Sequence, residues 1–139
     1  MILPIYAGGS REDDDDSSSN YPKTLTGISY KETSKNWRIG SVSLAHFYLE
    51  AQVFGSVKQI SSNSFSNEKL TFQYVNHTHA SYYGATIDFA WLDKSGEGTS
   101  QCSATATWNC HTADIPVLGI PTTSASTNLK LSFTTSFLK

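Results

Sequence analysis

Residues 43–54 read SLAHFYLEAQVF, and the period of this stretch decides between a helical and a strand-built protein. Leu44, Phe47, Tyr48 and Ala51 fit a helical stripe, whereas Ala45, Phe47, Leu49, Ala51 and Val53 fall on one side of a strand. The strand reading is preferred, because a helix would leave Leu49 and Val53 on its polar side.

The flanking sequence repeats the two-residue period. In GATIDFAWL (residues 84–92), Ala85, Ile87, Phe89 and Trp91 share one face while Thr86 and Asp88 fall on the other. Near the C-terminus Leu129, Leu131, Phe133 and Phe137 oppose Asn128, Lys130, Ser132, Thr134 and Ser136. LTFQYV (70–75) alternates Leu70, Phe72 and Tyr74 with Thr71 and Gln73, and SATATW (103–108) alternates Ala104, Ala106 and Trp108 with hydroxyl residues. Both read as half-buried strands. Weaker strands are expected over 25–31, 38–43 and 115–118. The connections are expected at SSNSFSNEK (61–69), KSGEGTS (94–100) and IPTTSASTN (120–128), which are rich in Gly, Pro, Ser and Asn. The sum is an all-β protein, an antiparallel β-sandwich of about seven to nine short strands, with an open β-barrel as the alternative. Phe72, Ile87, Phe89, Trp91, Leu131 and Phe133 are the expected core.

A chain of 139 residues has room for one such domain. Three zones are visible: an apolar arm at 1–7, a polar tether at 8–23 that carries four consecutive aspartates, and a patterned body at 24–139. The tether repels itself and reads as a solvated linker rather than a calcium loop, because its acids lack that loop's spacing and glycine. The arm presents Ile2, Leu3, Ile5 and Tyr6, which must dock either as an edge strand of their own domain or as a strand added to a neighbouring subunit. MILPIYAGG lacks the basic region and the apolar length of a secretory signal.

Only 16% of residues are charged, and Ser and Thr together number thirty-six. Hydroxyl groups therefore supply most of the polarity, which suits exposed sheets of extracellular or particle-surface proteins. The formal charge is −2 and no basic run occurs, so nucleic acid is a poor partner. No segment approaches the length of a membrane-spanning helix.

His77 and His79 lie two apart and would face the same way on a strand, but no third ligand accompanies them, so no metal or cofactor is expected. The same stretch carries Tyr82 and Tyr83, which with the two histidines form a candidate rim for a sugar or peptide. Trp37 is the tryptophan expected at the surface, while Trp91 and Trp108 are expected in the core. Cys102 and Cys110 allow one disulfide, provided that the chain reverses inside SATATWN; on one straight strand they are too far apart. No nucleophile elbow, phosphate loop or paired catalytic carboxylates stand out, so no catalytic residue is assigned. The expectation is a non-enzymatic structural or attachment protein of a virion, filament or cell surface, self-assembling through its arm. The alternative is a monomeric ligand-binding module such as a glycan-binding, lectin-like domain.

Overall fold

The structure is a computed structural model and describes residues 20–138. The arm at 1–7 and most of the tether lie outside the described residues, as does the side chain of Phe137. Lys23, assigned to the tether from sequence, already opens the first strand.

Six strands follow one another: β1 (Lys23–Ile39), β2 (Val42–Ser61), β3 (Ser64–Ser81), β4 (Ala85–Ser95), β5 (Gln101–Thr112) and β6 (Thr123–Thr134). They form two antiparallel three-stranded sheets, ordered β1-β2-β3 and β4-β5-β6. The protein is thus all-β and sandwich-like, with fewer and longer strands than the turn signals suggested. The expected strands at 25–31 and 38–43 belong to a single hairpin: Gly40, at φ +61°, turns the chain, and Ile39 pairs directly with Val42. Residues 115–118 form no strand; Ile115 and Ile120 make one isolated bridge around the turn at Pro116–Leu118. Conversely, most of the connection expected at 120–128 belongs to β6, whose first inward residues are the small Thr123, Ala125 and Thr127. Small inward residues weaken the hydropathy alternation that marks a strand.

The strand reading of residues 43–54 is correct: Ala45, Phe47, Leu49, Ala51 and Val53 are all fully buried. Facing them, β5 sends Cys102, Ala104, Ala106, Trp108 and Cys110 inward. The alanines leave room for Trp108, whose ring centroid lies 4.9 Å from that of Phe47. Burying an aromatic of this size stabilises the fold by about 1.5–3 kcal/mol, so this cross-sheet pair anchors the middle of the core.

Two bulges redirect side chains that strict alternation would have buried. In β3, Phe72 pairs with Val53 and Tyr74 with Gln52, so Gln73 is an extra residue. Phe72 therefore points inward, 6.4 Å from Phe133, while Tyr74 emerges on the outer face. In β4, Ile87 pairs with Cys110 and Phe89 with Asn109, leaving Asp88 as the extra residue. Ile87 packs on the core, but Phe89 and Trp91 are 54% and 39% exposed, correcting their expected burial. One added residue shifts the two-residue period by one and exchanges the faces. The displaced rings stack on each other, with centroids 5.1 Å apart.

The disulfide that a chain reversal inside SATATWN would have allowed is absent, because no such reversal occurs. Cys102 and Cys110 are free, buried and on the same uninterrupted strand. Eight residues of strand separate their Cα atoms by ~26 Å, against a bridging limit of ~7 Å.

Between the described sheets the chain crosses once, at residues 82–84, where Tyr83 and Gly84 both adopt positive φ. The opposite end is clasped through the backbone: Leu70 N donates to the Thr99 carbonyl at 2.8 Å, and Gly98 N donates to the Leu70 carbonyl at 2.6 Å.

Candidate functional site

The outer face of β1-β2-β3 is set by register. Glu32 of β1 lies opposite Glu50 of β2, which lies opposite Asn76 of β3. The next row along is Ser34, Tyr48 and Thr78, and the one beyond it is Asn36, His46 and Ala80. In the other direction Tyr30 and Tyr74 flank Gln52. Tyrosines, a histidine, amides and hydroxyls thus occupy the outer face, while Phe47, Leu49 and Val53 of β2 turn to the core.

Glu50 organises one end of this face. Its carboxylate accepts from the hydroxyl of Tyr30 at 2.5 Å, the hydroxyl of Tyr74 at 2.8 Å and Nδ2 of Asn76 at 3.1 Å. These donors, Tyr30 foremost, hold the carboxyl below its ordinary range. The same bond is the main reason that the Tyr30 hydroxyl is pushed well above the ordinary phenol range, and Tyr74 is raised for the same cause. Both phenols therefore keep their protons and act as fixed donors. The Gln73 bulge is what delivers Tyr74 to this cluster.

Tyr48 occupies the centre and is 42% exposed. It contributes to two hollows. One, of about 440 Å³, is lined by Glu32, Ser34, Glu50 and Thr78 among others. The second, of about 340 Å³, adds Asn36, Ser43, His46, Tyr82 and Tyr83. His46 is held by Asn36 through Nδ1 and meets the Tyr48 ring edge-on, 4.5 Å between centroids. The two hollows share Tyr48, so together they make one trough along the sheet.

The residues nominated from sequence divide between the two faces. Tyr82 and Tyr83 stand in the second hollow. His77 and His79 do not join them: they pair with Leu49 and Phe47 on the core-facing side of β3, and the His77 ring lies 6.0 Å from Trp108. Trp37, expected at the surface, is half-buried and packs against the core. The rim of two histidines and two tyrosines is therefore split by the pleat, since residues 77 and 79 share the parity of the inward set. Among the described residues no group of three or more His, Cys, Asp or Glu side chains is placed to hold a metal.

Tyr30, Tyr48, Glu50, Tyr74 and Asn76 were not singled out as binding residues from sequence. A signal for two of them existed in residues 43–54, where a tyrosine and a glutamate occupy the polar side of a clear alternation. For Tyr74 the period pointed to the wrong face. On the other sheet, the exposed Phe89 and Trp91 lie near a contact in which His111 Nδ1 is 2.7 and 3.0 Å from the two Asp88 oxygens. No helix among the described residues is long and apolar enough to cross a membrane. No family model, curated protein or solved structure matches this chain.

Proposed function

We propose that this chain is a non-enzymatic attachment protein of an extracellular or particle surface, and that the trough on the outer face of β1-β2-β3 holds a glycan. The observation that carries the reading is Tyr48, shared by two adjoining hollows and ringed by side chains that donate and accept hydrogen bonds. A pyranose ring has apolar C–H faces and a hydroxyl rim; tyrosine offers the matching combination of an apolar ring and a polar tip. Placement on paired strands supports the reading further, because a sheet holds its side chains at fixed spacing and little ordering is left to the moment of binding.

Glu50 is disfavoured as the proton donor of a glycoside hydrolase. A glycosidase needs one carboxyl with a raised pKa to protonate the leaving group. Glu50 is lowered, and its hydrogen bonds hold it as an anion. The extracellular placement rests on the low charge and high hydroxyl content, with no disulfide adding to it.

The test is oligosaccharide binding followed by calorimetry, with Tyr48→Ala as the variant. Loss of one stacking ring should weaken binding about tenfold or more while the circular dichroism spectrum is unchanged. Undiminished binding by Tyr48→Ala removes the trough from the reading.

A second reading, self-assembly, is favoured by Phe89 and Trp91, a stacked apolar pair left exposed on the edge strand β4. Sedimentation of the full chain should then show an oligomer that Trp91→Ser weakens. A monomer at every concentration tested excludes it.

A further inference from the structure

We propose that the hollow between Glu32 and Glu50 receives a protonated amine, so that the preferred glycan carries free amino groups. This inference rests on the glycan reading of the same trough and names its ligand class.

Glu32 and Glu50 are register partners on neighbouring strands, an arrangement that is unfavourable for two like charges. Among the described residues neither has a cationic partner. Tyr30 stands beside both, 2.5 Å from a Glu50 oxygen and 3.1 Å from a Glu32 oxygen, but it has one proton to give. The shorter contact takes the larger share of that proton. Glu32 keeps only the longer, shared contact with that hydroxyl, and no other described side chain donates to it. The face therefore carries two carboxylates, of which Glu50 holds three protein donors and the exposed Glu32 only a share of one. An ammonium group adds hydrogen-bond donors at Glu32 and brings the positive charge that the pair lacks.

The surroundings suit an amine on a sugar better than a metal ion. Glu50 already accepts three hydrogen bonds, which leaves few of its roughly four lone-pair positions for direct coordination. Tyr48 lines the same hollow, and an aromatic face attracts an ammonium as well as the C–H side of a pyranose. Ser34 and Thr78 flank Tyr48 in its row and place hydroxyls where the neighbouring ring substituents would lie. Sugars bearing carboxylates or sulfates are repelled by the same two glutamates.

The experiment compares three tetrasaccharides by calorimetry at pH 6 and low salt: one of glucosamine, its N-acetylated counterpart, and one of glucose. The glucosamine tetramer should bind about tenfold more tightly than either neutral one, the combined effect of two partly exposed ion pairs. Added salt should narrow the gap. Glu32→Gln, which removes the charge at an exposed strand position and keeps the size, should shrink the preference to about twofold and leave thermal stability unchanged. Equal affinity for aminated and neutral tetramers overturns the inference and leaves the glycan reading standing. A preference that survives Glu32→Gln undiminished also overturns it. If none of the three binds the wild-type protein, both the inference and the glycan reading fall.

Discussion

Deleting Asp88 separates a bulged β4 from a regular one. In the structure Asp88 is the unpaired extra residue between the Ile87–Cys110 and Phe89–Asn109 pairs. Its removal closes the ladder without moving any later residue to the other face: Phe89 and Trp91 stay outside, and Leu92 stays against the core. The loss is then mainly the Asp88–His111 contact, whose two side chains are each 42% exposed. Such pairs contribute ~0–1 kcal/mol. Relief of the bulge partly offsets that, so the variant should fall within about 1 kcal/mol of the parent. A regular strand behaves differently. Had Ile87, Phe89 and Trp91 shared the inner face, deleting Asp88 would swing both aromatics into water at ~1.5–3 kcal/mol each, or about 3–6 kcal/mol together. Urea unfolding followed by far-ultraviolet circular dichroism measures the difference, with an unchanged slope confirming that the same surface is buried. A loss above about 3 kcal/mol at constant slope refutes the bulge and the exposed position of the Phe89–Trp91 stack.

Two further outcomes follow from ionisable groups. Burial pushes both cysteine thiols up, with Glu97 near Cys102 and Asp88 near Cys110 adding to the effect; a disulfide-exchange reagent should therefore modify neither thiol until the protein unfolds, then count two. Because hydrogen bonds lower the folded pKa of Glu50, its contribution is present above the unfolded value of 4.5 and is lost as pH falls through the folded one; Glu50→Gln should flatten that part of the acid limb, and an unchanged limb would contradict the Tyr30–Glu50–Tyr74 cluster.

The fold class was legible because β2 and β5 keep strict alternation over their buried lengths, with Phe47, Leu49 and Val53 on one side and Trp108 among alanines on the other. Strand number was not legible. A single glycine at residue 40 turns one hairpin, and hydroxyl-rich stretches that resemble loops continue as strands when a neighbour pairs with them. The bulges were invisible for a stronger reason: an inserted residue leaves the local hydropathy period intact, and only the partner strand reveals that two residues oppose one. Tyr74, Phe89 and Trp91 were misplaced by that effect. Half of the candidate site suffered the converse problem. Tyr82 and Tyr83 attracted notice as adjacent aromatics beside a turn, whereas Tyr30 and Glu50 are twenty residues apart and meet only through the register of β1 on β2.

Each sheet is made from one contiguous stretch of chain, and the described stretches join only at residues 82–84. Every strand pairs with its sequence neighbour, so hairpins can form before the two stretches meet, and the late event in folding is the docking of one meander on the other. The energy of that docking is concentrated where Phe47 meets Trp108 and Phe72 meets Phe133. A chain cut at the junction would yield two fragments, each carrying all of its own strand pairings and half of an apolar interface. Such fragments are complementary by construction, and mixing them should rebuild the core without the covalent link.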